Sequence, residues 1–152
     1  HWPWTLNIHH VPMYLPDRES LINVLKEVST KPYFFISSDG VYNFHTTRYQ
    51  AEVSSLKYGN KSNEVRKLNL KSTDICGLQL NYYWHNSKFH DVIEMTDIEA
   101  CVKNAALYLK KNIDKYGLIK GAACYHNCDT STSDHHSYKT KFLKYFRKVK
   151  NA

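Results

Sequence analysis

The 152 residues are 42% hydrophobic and 23% charged, with a formal net charge of +7. A chain of this length supports one domain with a buried core, roughly 70% of the unfolded surface being removed from water. Its 14% aromatic content excludes wholesale disorder, and no apolar run approaches the ~18 residues of a membrane-spanning helix. The charge is unevenly placed. From Tyr138 onward Lys139, Lys141, Lys144, Arg147, Lys148 and Lys150 are accompanied by no acidic residue, which leaves the rest of the chain nearly neutral. Such an end can meet an anionic wall polymer, a membrane surface or nucleic acid, or be a solvated helix face. No nucleic-acid-binding motif accompanies it, so nucleic acid is not an expected partner.

The chain opens on His1 with no recognisable signal peptide, as expected of a processed or trimmed form. Residues 1–15 hold Trp2 and Trp4, and three prolines fall by Pro16, which predicts an extended arm that packs through its tryptophans. Asp17 is a helix N-cap. Leu21, Val24, Leu25 and Val28 then recur at helical spacing until Pro32 ends the pattern. Asp39-Gly40 is a turn signal between two aromatic and β-branched stretches, and predicts a short hairpin. No clear pattern follows, and the polar stretch from Lys57 to Lys71 reads as a mobile flap. Thr96 and Glu99 form a capping box for a helix whose apolar stripe is Ile98, Val102, Ala105, Ala106, Leu109, Ile113 and Tyr116, stopped by Gly117. A short small-residue helix spans about Ile119–Tyr125. The chain closes on a basic amphipathic helix over about 137–152, with Tyr138, Phe142, Tyr145, Phe146 and Val149 on one face.

Four cysteines, Cys76, Cys101, Cys124 and Cys128, suit one or two disulfides in an oxidising compartment, with three possible full connectivities. Cys124, His126, Cys128, His135 and His136 invite a metal reading, but their spacing matches no recognised zinc site. No metal is expected.

More specific chemistry comes from particular residues. Asp74-Ile75-Cys76-Gly77-Leu78-Gln79-Leu80-Asn81 followed by Trp84 resembles the D-I-G-L-M-Q-I-N…W signature of lytic transglycosylases, goose-lysozyme-like enzymes that cleave peptidoglycan. Asp97–Gly117 resembles the family's next helix, Ala123-Cys124-Tyr125-His126-Asn127 its A-x-Y-[HN]-[AS] motif, and Tyr138–Val149 its terminal helix. The ordered set covers half the chain. By layout it is most similar to the small peptidoglycan hydrolases of type IV secretion systems.

The resemblance implies a lysozyme-like, mainly helical α+β fold with a small β or loop lobe, over a single domain. It also implies a periplasmic or envelope location, peptidoglycan strands and secretion-system proteins as partners, and no cofactor. The family's essential glutamate stands near the end of a helix in an E-S-G-F-N-P-like context. Glu27-Val28-Ser29-Thr30-Lys31-Pro32 matches the glutamate and the proline, whereas aligning on the apolar residues puts Ser29 in that place. The second alignment implies an inactive glycan-binding or scaffolding relative. Glu52 is an outside candidate.

One carboxyl suffices for such an enzyme, unlike the paired carboxylates of most glycosidases. It must start protonated, which an apolar site and the negative end of a helix both favour. By residue-matched resemblance, Leu78, Gln79, Asn81 and Tyr125 are the substrate-side candidates. Gln79 would reach a sugar acetamide or hold a turn, and Tyr125 would steady the glutamate or the substrate, or simply pack. Asn81 fits local backbone support better than sugar contact. Trp84 reads as core, and Tyr33, Tyr42 and Tyr49 could offer rings for sugars to stack on. The resemblance also brings the cysteine segments around one core, where a bridge is possible.

Overall fold

A computed structural model of the chain describes residues 3–8 and 11–150. The described residues are mainly helical α+β with small antiparallel sheets. They divide into two compact units, His1–Cys101 and Val102–Ala152.

The first unit begins with a hairpin instead of a lone arm. β1 (Thr5–Ile8) pairs antiparallel with β2 (Val11–Tyr14), Leu6 facing Met13. Leu6 and Ile8 are fully buried, and their alternation with Asn7 is the two-residue period of a strand. Pro12 is tolerated because β2 lies at the sheet edge, where a missing N–H breaks no ladder. Trp4 is half-buried, and Trp2 lies outside the described residues. β1 also pairs with β6 (Thr73–Ile75), which pairs with β7 (Leu80–Asn81), giving the order β2–β1–β6–β7.

Helix α1 (Arg18–Thr30) starts where the sequence predicts, Asp17 Oδ1 accepting the Ser20 N–H at 2.8 Å. Leu21, Leu25 and Val28 are its buried face. Its last turn closes through Lys31 N–H to the Glu27 carbonyl at 2.8 Å, one residue before Pro32. The predicted hairpin follows as β3 (Tyr33–Ile36) and β4 (Tyr42–His45), with Gly40 at φ +83° in the turn. That left-handed angle is open to glycine at little cost.

Helix α2 (Arg48–Lys57) carries no periodic apolar stripe, since its buried positions are Ala51 and Ser55. A reciprocal capping box starts it: Thr47 Oγ1 accepts the Gln50 N–H at 3.2 Å, and Gln50 Oε1 accepts the Thr47 N–H at 3.3 Å. The polar stretch beyond it is anchored and does not form the expected flap. β5 (Arg66–Lys67) pairs with β3, flanked by buried Val65 and Leu68. Phe35, Ala51 and Val65 form a small core against which Tyr33 packs.

Helix α4 (Ile98–Tyr116) follows the short α3 (Tyr82–His85). Its cap is Asp97, whose Oδ1 accepts the Ala100 N–H at 2.9 Å, and not Thr96. Thr96 is buried, donates to the Ile93 carbonyl at 2.6 Å and accepts from Arg18 Nε at 3.0 Å. The predicted stripe is also rotated. Ile98 and Val102 are exposed, while Cys101, Ala105 and Asn112 are buried. A one-residue rotation follows from the cysteine, which the Cys76–Cys101 disulfide holds on the inner face.

In the second unit, Gly117 at φ +81° ends α4 and starts α5 (Leu118–Cys124). Gly121 lies directly against the Asn112–Ile113 backbone: a Cβ there would stand 2.5 Å from Ile113 Cα. Helix α6 (Ser133–Lys150) begins four residues ahead of the expected Ser137, Thr132 Oγ1 accepting the His135 N–H at 3.2 Å. It packs against α5. The loop between them is closed by the Cys124–Cys128 disulfide and by His135 Nδ1 at 2.7 Å from the Asn127 carbonyl.

Candidate functional site

The first unit contains an open groove of about 500 Å³. Two hairpins and one helix build it: Met13, Tyr14 and Leu15 come from the β2 end, Val24 and Glu27 from α1, and Gly40, Val41, Tyr42 and Phe44 from the β3–β4 hairpin. The α1 residues reach it because positions 24 and 27 lie one turn apart, beside the stripe that buries Leu21, Leu25 and Val28. Tyr42 and Phe44 arrive two residues apart on one strand face, their rings 6.3 Å apart. Phe34, the cross-strand partner of Phe44, is buried beside them, its ring stacked 6.0 Å from Tyr42 and tilted 5.8 Å from Phe44. Burial raises the Tyr42 phenol above its ordinary range despite the opposing charge of Arg66, so it remains a hydrogen-bond donor in neutral solution.

Glu27 is the carboxylate lining this groove. Its Oε1 is 2.9 Å from Lys31 Nζ, one helical turn on, and both side chains are nearly half exposed. A pair so open to water is worth ~0–1 kcal/mol, so an entering ligand can displace it. Ser29 is exposed and donates its hydroxyl to the Lys26 carbonyl at 2.6 Å. Glu52 pairs with Arg48 at 2.8 Å on α2 and is not a groove residue.

The Gly-Leu-Gln segment is turned on itself. Residues 76–79 connect β6 to β7, with Cys76 at φ +64° and Gln79 at φ +55°, two non-glycine residues in the left-handed region. Gln79 donates both its backbone N–H, at 3.0 Å, and its side-chain Nε2, at 2.8 Å, to the Cys76 carbonyl. Its amide therefore holds the turn and is not part of the groove wall. Asn81 works locally too: Nδ2 donates to Asp74 Oδ1 at 2.9 Å, and Oδ1 accepts the Tyr83 N–H at 3.1 Å, capping α3. Leu78 is exposed at the tip of the turn. Trp84, expected in the core, is 72% exposed, its ring edge-on to Tyr83 with centroids 4.7 Å apart. The four residues of α3 turn His85 inward, which leaves Tyr83 and Trp84 facing solvent.

Tyr125 belongs to the second unit, at the end of α5. Burial first, and then the neighbouring Tyr138 and Tyr108 phenols, push its hydroxyl well above the ordinary tyrosine range. It is thus a permanent donor, with the Tyr108 ring 5.7 Å away. Of the second unit's candidate metal ligands, Cys124 and Cys128 are bridged to each other and His135 Nδ1 faces the Asn127 carbonyl. Among the described residues no group of three or more His, Cys, Asp or Glu side chains converges on a metal position.

Of the residues singled out by the sequence, Glu27 and Tyr42 meet in the groove. Tyr33 packs in the small core, with Lys67 Nζ 5.6 Å above its ring, and Tyr49 is exposed on α2. Tyr14, Val24, Val41 and Phe44 were not foreseen; the aromatic pairs flanking the Asp39-Gly40 turn were the available signal. No protein-family model matches the chain, and neither the curated proteins nor the solved structures contain a significant match to it.

Proposed function

We propose that the protein is a peptidoglycan lytic transglycosylase with Glu27 as its acid and then its base. The observation that carries this reading is the position of Glu27 near the C-terminal end of α1, on an open groove walled by Tyr14, Tyr42 and Phe44. Aromatic walls suit sugars, which present apolar ring faces and a polar rim. In this reading Glu27 protonates the oxygen that links N-acetylmuramic acid to N-acetylglucosamine, and that bond breaks. The carboxylate then takes the proton of the muramyl 6-hydroxyl, whose oxygen closes on the anomeric carbon to give the 1,6-anhydro sugar. No water is added and no metal is needed. Lys31 must first leave Glu27, a cost of at most about 1 kcal/mol for an exposed pair.

Two disulfides support an oxidising compartment, in keeping with a periplasmic enzyme that opens the wall locally for a secretion apparatus. The test is mass spectrometry of the products from purified sacculi. Anhydromuramyl fragments that vanish with Glu27→Gln would support the reading; reducing-end products would make the protein a hydrolytic lysozyme instead.

One observation favours a second reading, a glycan-binding or scaffolding relative without activity. The Gln79 amide is committed to the Cys76 carbonyl, and so the groove lacks the polar group that the family motif would supply. Sacculus binding without any released fragment would select it.

A further inference from the structure

Helix α6 changes character along its length. Its first half holds the buried His135, whereas every residue from Lys144 to Lys150 is exposed. That exposed end is not uniformly polar. Tyr145 is 63% exposed, Phe146 39% and Val149 78%. At about 100° per residue these three, with Phe142, fall within an arc of roughly 100°. Lys141 and Lys148 border one edge of the arc, and Lys139 and Lys150 border the other. Phe142 and Phe146 stack with centroids 5.6 Å apart, and Lys148 Nζ lies 6.0 Å from the Tyr145 ring, so the apolar strip and its cationic margin are in contact.

We propose that the C-terminal half of α6 is an interfacial helix that lies on an anionic lipid surface. An anionic polymer or nucleic acid would need the cations alone and would leave Val149 and Phe146 in water. A lipid surface uses both features: the strip enters the acyl boundary while the flanking lysines extend to the headgroups. Each cation near such a surface strengthens binding severalfold, and the absence of any acidic residue from Tyr138 onward leaves that attraction unopposed. Binding of this kind goes beyond glycan cleavage and does not depend on it, because Glu27 stands on another helix.

The test is flotation of the full chain with vesicles of phosphatidylcholine alone and of phosphatidylcholine mixed with phosphatidylglycerol. The protein should float with the anionic vesicles and bind the neutral ones at least about tenfold more weakly. Tyr145→Ser combined with Val149→Ser should weaken anionic binding at least about tenfold with helicity by circular dichroism unchanged. Lys141→Gln with Lys148→Gln should weaken it and reduce its salt dependence. Glu27→Gln should float like the parent protein. Absence of flotation with anionic vesicles would overturn the proposal, as would equal binding to neutral ones. Unchanged anionic binding by the folded Tyr145/Val149 variant would also overturn it, since the contact would then be one any polyanion could make.

Discussion

The last turn of α1 and the turn between β6 and β7 carry two of the segments that resemble lytic transglycosylases, and their polar side chains do opposite things. In α1 the backbone is regular and self-sufficient, so Glu27 needs only a weak exposed partner, Lys31, and stands on the groove. In the 76–79 turn the backbone is held in the left-handed region at Cys76 and Gln79, and the Gln79 amide is used to hold it there. A side chain is available for ligand chemistry when the local fold does not need it. That separates a candidate catalytic residue from a motif residue whose work is structural.

The largest expected effect tests the available side of this contrast. Glu27→Gln should lower release of anhydromuramyl product by at least about a hundredfold, the usual scale for loss of a general acid, with unfolding by urea unchanged. An active Glu27→Gln would remove the groove from the chemistry. Next comes the structural side. The Cys76–Cys101 disulfide spans 25 residues, and replacing both cysteines by serine should cost ~3 kcal/mol in a urea titration. The Cys124–Cys128 bridge spans four residues, and its removal should cost about 1–2 kcal/mol less than that. Equal losses would mean that the first bridge does not stabilise the turn through chain closure.

Gln79→Gly sharpens the comparison further. Glycine relieves a positive φ that costs ~1–2 kcal/mol for other residues, while the lost side-chain hydrogen bond returns ~1 kcal/mol. Stability should therefore stay within about 1 kcal/mol, and activity within about fivefold. A hundredfold fall in activity at unchanged stability would bring the amide back to the substrate.

The smallest effect concerns pH. Burial, aided by the charge of Lys88, holds the His85 imidazole below its ordinary range, so the native state keeps it neutral while the unfolded chain protonates near pH ~6.5. The unfolded state then binds more protons, and stability falls as pH drops through that value. His45 acts in the same direction through burial and then Lys31. Urea midpoints measured from neutral to mildly acidic pH should decline, and His85→Gln should flatten the decline.

Legibility in the sequence followed the range of the forces involved. Helix α1 and the β3–β4 hairpin were readable because Asp17, the Leu21–Val28 stripe and Asp39-Gly40 act within a few residues. Helix α2 was missed because it buries only Ala51 and Ser55, although Thr47 and Gln50 spelled out its start. The N-terminal arm pairs locally as the β1–β2 hairpin, and Leu6 and Ile8 are also covered by β6 more than sixty residues away, a pairing no local pattern announces. The same limit applied to the site. Glu27 was named from its motif, but Tyr14 and Phe44 join it only when two hairpins fold beside α1. For Gln79 the sequence leaves a sugar contact and a turn-holding role side by side, because a motif says nothing about a positive φ at a residue other than glycine, and the structure selects the turn.

Gly121 gives the second unit an unusual genetic exposure. Its missing Cβ is the clearance between α5 and the Asn112–Ile113 backbone, which is main chain and cannot swing aside. Every single-base change of a glycine codon is either silent, a stop or the addition of a Cβ. The seating of α5, and with it the placement of Tyr125, therefore has no tolerated missense neighbour one nucleotide away.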